Sequence, residues 1–435
     1  MMRILAVCGA PFTYGELGLL FSFADELPAG QAEMVYLTGV NHHPLLRRGR
    51  RRGLFLEPGE RQGNERKVAR FLARYQPDLI LVPDFLSLWY TGFLYGLSLA
   101  FWRSLEVPVV SFDSHGWCEA GYRMDIAGQS VDLIEADPGA SEAAVDWFAE
   151  TIPVCPFQLP SAADGNRLAL PLFKNGPVSV AEKTHWRSAA GCNHDQKLVF
   201  LVGLFDHRQS VCRETLPLWA RAFGDGERMV QAGRGIAAMA ARVQASLAEL
   251  LRLLGDGIRI VTVAHMTADA AAQWQDLPVA SLPPLDEARY DALLGSADLV
   301  LSLNGISGSL VKAARAGVPA LALGQGLPAA KLRAFFPAAG DEELYRWRYF
   351  PVGMHDYYTP LLAADPLGGS CLYGEIFETR QSAETLRGLL YDSLVRGRLG
   401  ERQAALSRQM DQLSSPRVVL DILQSRWGRE AVAWS

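Results

Sequence analysis

Several short stretches bring together residue types that can do chemistry. In Asn304-Gly305-Ile306-Ser307-Gly308-Ser309, a Gly/Ser turn lies between an apolar run at 299–303 and a helix-like segment. That segment closes on Gly317-Val318-Pro319 and a second apolar run at 320–323. A turn of this kind leaves backbone N–H groups unpaired at a helix start, a ready site for a phosphate. Asp113-Ser114-His115-Gly116 follows another apolar run and puts an imidazole, with a carboxylate able to orient it, at a strand end. Strand ends are where α/β proteins bind ligands, and the pair suits proton transfer; a solvated loop histidine is the plain alternative. Arg47, Arg48, Arg50, Arg51 and Arg52 follow His42 and His43. They make either a solvated face or the seat of an anionic ligand.

Other chemistries find no support. No G-x-S-x-G elbow announces a serine hydrolase. The six cysteines are scattered without a CxxC pair, which points to a reducing compartment and no structural zinc. A formal net charge of −5 gives no general case for nucleic-acid binding.

The elements that must position these residues alternate. Buried-type strands are expected at 3–9, 33–38, 53–56, 79–83, 109–113 and 131–135, with helices such as 17–27 and 66–75 between them. Residues 86–102 carry no charge, and their place between two strands predicts a core helix, with a membrane-contacting patch as the alternative. Pro153, Pro156, Pro160, Pro171 and Pro177 mark the end of a first domain. A second series has strands at 197–203, 258–263 and 279–282, with helices at 215–223 and 239–254, and Asp286 as a cap before the Gly/Ser stretch. An aromatic-rich insertion spans 345–377, helices resume near 382, and the last starts at Ser415-Pro416. The expected domains are 1–170, 171–410 and a C-terminal helix in 411–435 that packs back toward the first. The chain opens directly into a strand, and it reads as cytoplasmic.

Two α/β domains, the turn Asn304–Ser309, a helix, and Arg315-Ala316-Gly317-Val318-Pro319 together resemble the GT-B glycosyltransferases. Among these the likeness is to the enzymes that glycosylate antibiotics and lipid intermediates, with a His-Gly-Gly-x-Gly-Thr-like turn followed by Ala-Gly-Val-Pro. The resemblance implies two Rossmann-like, doubly wound domains facing a cleft. It also implies transfer of a sugar from a nucleotide-diphosphate donor, the co-substrate, to a small-molecule or lipid-linked acceptor by metal-independent displacement, with no other cofactor. Carried over, Asn304, Gly305, Ser307, Gly308 and Ser309 would hold the donor diphosphate, joined by Arg208 of Phe205-Asp206-His207-Arg208. Arg47, Arg48 and Arg51 would meet an anionic acceptor, and His355 of His355-Asp356-Tyr357-Tyr358 would close over the sugar.

Inverting enzymes of this kind need a base in the first domain. Where relatives carry Gly-His, this chain carries Gly15-Glu16, so Glu16 is one candidate, and His115 with Asp113 is the other. Lys312 stands where the uridine branch often has a ribose-binding glutamate, and lysine cannot accept those hydrogen bonds. Leu327-Pro328 stands where many relatives place an acidic-Gln pair. The base and the sugar therefore stay open. A nucleotide-sugar 2-epimerase and a non-catalytic binding subunit are the alternatives on the same architecture.

Overall fold

Short apolar runs separated by amphipathic segments fold here as strand–helix repeats, because a strand buried on both faces needs helices to cover it. The computed structural model describes residues 1–10, 14–113, 122–126, 129–134, 148–154, 169–171, 178–203, 226–263, 272, 274–305, 307–324, 327, 329–337, 339–340, 352–353, 365 and 367–428. Two compact units emerge. The first comprises Met1–Arg123, Val131–Leu172 and Met410–Ser435, and the second Met124–Ser130 and Phe173–Gln409.

The first unit is built on six parallel strands: β1 (Met2–Cys8), β2 (Ala32–Gly39), β3 (Gly53–Leu56), β4 (Leu79–Val82), β5 (Val109–Asp113) and, after two strands placed elsewhere, β8 (Glu150–Pro153). Their order is β3-β2-β1-β4-β5-β8. The strands placed elsewhere, β6 (Arg123–Ile126) and β7 (Gln129–Asp132), form a small three-stranded sheet with β14 (Val352–Gly353). Two expectations change here. The run near 131–135 lies in the small sheet, and the sixth strand of the main sheet comes from the proline-marked boundary. There β5 pairs with β8 from Val110↔Glu150 to Asp113↔Pro153, so the proline sits at the strand's last position.

The second unit repeats the plan. β9 (Lys197–Val202), β10 (Ile258–Val263), β11 (Val279–Leu282), β12 (Leu299–Ser302), β13 (Ala320–Gly324) and β15 (Leu372–Glu375) lie in the order β11-β10-β9-β12-β13-β15. β15 comes from the end of the expected insertion. The long helix Gly226–Leu254 covers this sheet with Val243, Leu247, Leu250 and Leu251 wholly or almost wholly buried, beside Leu386 and Leu389 of the helix Thr379–Tyr391. The expected helix at 215–223 lies outside the described residues.

Both sheets reverse direction once: between β1 and β4 in the first, and between β9 and β12 in the second. In doubly wound sheets that reversal opens a crevice at the carboxyl ends of the two strands, where ligands bind. The uncharged run at 86–102 is two helices rather than one, Phe85–Tyr95 and Leu99–Arg103. Gly96 (φ 81°) ends the first, and Ser98 caps the second by accepting from Phe101 N–H. Leu88, Leu97, Leu99 and Trp102 are fully buried, which accounts for the missing charges. Among the described residues no helix is long and apolar enough to cross a membrane.

Candidate functional site

The crevice of the first unit gathers three carboxylates. Glu16 lies in the first turn of the helix Tyr14–Asp25, which follows β1, where the helix dipole favours an acid. Asp84 follows β4 and caps the helix Phe85–Tyr95, accepting from Ser87 N–H at 2.7 Å. Asp113 is the last residue of β5. Asp84 and Asp113 are 2% and 3% exposed. The loop after β1 is pressed against the start of the 85–95 helix: Gly9 N–H donates to Ser87 O at 2.9 Å. A Cβ on Gly9 would sit 2.6 Å from that oxygen and 2.7 Å from a Thr91 methyl, so only glycine fits.

This crowding sets the electrostatics. Burial first, and the neighbouring Glu16 charge second, push the Asp84 carboxyl up to about 7, with Asp113 adding to the rise. Cys8, 4.0 Å from Ser87 Oγ, is driven well above the usual thiol range by burial and then by Glu16 and Asp84. It is an inert wall of the site. Glu16 Oε2 is enclosed and has no hydrogen-bond partner among the described residues. The described residues contain no group of three or more His, Cys, Asp or Glu placed to hold a metal ion. One member of the trio, Asp84, thus titrates near neutral pH, a perturbation that burial and a neighbouring like charge produce.

Two residues expected from the sequence, Glu16 and Asp113, thus meet at one crevice, while His115 lies outside the described residues. Asp84 was missed. Its signal was available, since Leu79–Val82 is an apolar strand and Asp84 stands at its end, as Asp113 does at the end of β5.

The crevice of the second unit carries the Gly/Ser turn. β12 ends at Ser302, whose hydroxyl accepts from Asn304 N–H at 3.1 Å and donates to Asn304 O at 2.8 Å, closing a tight turn before Gly305. Gly203, at the end of β9 with φ 71°, would place a Cβ 3.5 Å from Asn304 Cβ. Ser307 caps the helix Gly308–Arg315 by accepting from Ser309 N–H at 3.2 Å. Ser309 Oγ lies 2.8 Å from the Tyr290 hydroxyl. These contacts draw the Ser309 N–H and one side of its hydroxyl into the protein. Lys312 is buried on the same helix and bonds Asp291 at 2.7 Å and Glu287 at 3.1 Å. Burial works against its charge, but the two carboxylates hold its pKa above the ordinary lysine value.

The remaining expected residues separate. Arg208 and His355 lie outside the described residues. Arg47 and Arg48 are exposed in the last turn of the helix His43–Arg48. Arg51 is built into the fold: it grips both oxygens of Asp25 at 2.7 and 2.6 Å, reaches the Tyr36 hydroxyl at 3.3 Å and covers the Phe21 ring at 4.2 Å. Its guanidinium is thus engaged by its own unit, unlike those of the exposed Arg47 and Arg48. His42 is fully buried with Nδ1 2.7 Å from Thr38 Oγ1, and burial lowers its pKa to about 4.

Comparisons place this architecture. The model of one protein family, described as a family of unknown function (DUF6365), matches residues 23–428. No curated protein matches. Among solved structures the chain is similar to the spinosyn forosaminyltransferase SpnP, at 15% identity and a TM-score of 0.55, over 99% of this chain and 100% of that one. It is similar to the glycosyltransferase VinC in complex with dTDP with the same four values. The spinosyn rhamnosyltransferase SpnG complexed with thymidine diphosphate follows at 13% identity and a TM-score of 0.52, over 98% and 100%. The likeness shows the fold: two doubly wound α/β domains of the GT-B type.

Proposed function

The chain belongs to the DUF6365 family of unknown function, and from that premise we propose that it is a glycosyltransferase using a nucleoside-diphosphate sugar. The observation that carries the reading is the carboxylate set of half-buried Glu16 and buried Asp84 and Asp113 at the strand reversal of a GT-B fold. A carboxylate with one oxygen enclosed, beside a neighbour titrating near neutral pH, is suited to take a proton during turnover.

In this reading the acceptor hydroxyl attacks the anomeric carbon and its proton passes to Glu16. Asp84, holding its own proton near neutral pH, limits the negative charge around Glu16. The bond from the anomeric carbon to the diphosphate oxygen breaks, and the departing charge collects at the start of the helix Gly308–Arg315. Anions at such a position gain about 0.3–1 kcal/mol when exposed and up to about 2 when partly buried. The exposed Arg47 and Arg48 favour an acceptor with a carboxylate or phosphate. Lys312, fixed between Glu287 and Asp291, offers the ribose no acceptor, so the nucleotide is one that this protein reads by other groups.

Thermal-shift screening against nucleoside diphosphates and their sugars tests the donor assignment, because a ligand present well above its Kd raises the melting temperature. Ser309→Asp is expected to abolish the shift by like-charge repulsion. Glu16→Gln is expected to lower kcat by about 10²–10⁴ while leaving donor affinity unchanged. Unaltered turnover in that variant would remove Glu16 from the mechanism.

A further inference from the structure

Tyr290 lies in the helix Glu287–Ser296, and its bond to Ser309 has a direction that the surroundings decide. The side chain is half-buried, and the ring packs edge-on against Phe200 at a centroid distance of 5.2 Å. Of two hydroxyls 2.8 Å apart, one donates and the other accepts. Among the described residues Ser309 is the partner that the geometry gives the phenol, so a phenol that donates there makes its bond within the protein. The phenol is also the more acidic partner, and Lys312 Nζ, 5.9 Å from the ring centroid, adds positive potential beside it that Asp291 partly offsets. Tyr290 therefore donates and Ser309 accepts.

The consequence falls on Ser309. Its N–H is already taken by Ser307 Oγ, so its hydroxyl proton is what the residue has left to offer. A serine in the first turn of a helix otherwise tends to turn that proton back onto a nearby carbonyl. We propose that Tyr290 is a positioning residue for the donor site: by donating to Ser309 Oγ, it directs the Ser309 hydroxyl proton outward, onto an oxygen of the departing diphosphate. The proton stays on Ser309 throughout, and Tyr290 touches neither sugar nor phosphate. The inference rests on the donor reading above and adds the residue that orients its hydroxyl.

The test is calorimetric titration of thymidine diphosphate, uridine diphosphate and thymidine into the full chain and into Tyr290→Phe, Ser309→Ala and the double variant. Tyr290→Phe keeps the ring against Phe200, and an unchanged melting temperature checks that it folds. Each single change is expected to weaken the better-bound diphosphate about tenfold, the worth of a hydrogen bond to a charged group. The double variant is expected to bind no more weakly than Ser309→Ala, because the two residues act as one unit. Thymidine, which lacks phosphates, is expected to bind all four proteins alike. If Tyr290→Phe binds diphosphate as tightly as the unaltered chain, or if the two losses add, the inference falls and the donor reading stands. An equal loss for thymidine also overturns the inference, since it would show a structural effect. If the unaltered chain binds neither these two nor any other nucleoside diphosphate of the thermal-shift panel, the donor reading falls and takes the inference with it.

Discussion

At the scale of single residues, Asp84 and His42 make opposite demands on pH. Asp84 has a folded pKa of about 7, above the unfolded carboxylate value. Its contribution to stability is complete below that unfolded value and is lost as pH rises through about 7. His42, held down to about 4, contributes above the unfolded histidine value and loses its contribution as pH falls through 4. The two slopes partly cancel in the intact protein, so a substitution is needed to see either. Asp84→Asn keeps the cap on Ser87 N–H, since asparagine caps as well as aspartate, and removes the titration. It is expected to stabilise the protein at pH 8 by on the order of 2 kcal/mol and to change nothing at pH 4, as measured by urea midpoints. An identical pH profile for both proteins would show that Asp84 is not perturbed. Glu16 was legible in the sequence by its place after a glycine at a helix start. Asp84 could be placed at a strand end but its chemistry could not be read, because an aspartate before an apolar helix reads first as a cap, and the Glu16 charge that helps to change it lies far away in sequence.

At the scale of elements, the strands were legible wherever they form the buried centre of a sheet. β1, β4, β5, β9, β10 and β12 are largely apolar because both of their faces are covered. The edge strands β8 and β15 were not, since Glu150–Pro153 ends in proline and Leu372–Glu375 carries glycine and glutamate. An edge strand has one neighbour and tolerates such residues. The helix caps at Asp286 and Ser415 were readable because their side chains accept from N–H groups three residues on, a purely local bond. The close approach of the β1 loop to the 85–95 helix is not local. It makes Gly9 the most sensitive position of the candidate base site. Gly9→Ala would force a methyl against Ser87 O and Thr91, displacing the cap that holds Asp84. The expected result is a loss of about 1–3 kcal/mol in denaturant midpoints, with kcat falling further than the stability loss explains. Full activity in a destabilised Gly9→Ala protein would separate this contact from the chemistry.

At the scale of the molecule, chain order and unit order part company, because Met410–Ser435 belongs to the first unit although it follows the whole second sheet. The helix Pro416–Trp427 accounts for this membership. Val419, Leu420 and Leu423 are fully buried, and Gln424 Nε2 donates to Gln31 O at 2.9 Å, beside the start of β2. Burial of an aliphatic side chain is worth about 1.5–3 kcal/mol, so these three residues supply a sizeable part of a single unit's stability. A chain ending at residue 411 is expected to show this selectively. The unfolding transition of the first unit should move down, or be lost, while the melting transition that responds to nucleoside diphosphate keeps its temperature and its ligand-induced rise. Scanning calorimetry with and without thymidine diphosphate reads both at once. Loss of the ligand-responsive transition in that shortened chain would mean that the last helix supports the second unit as well, and that the two sheets do not hold their stability independently.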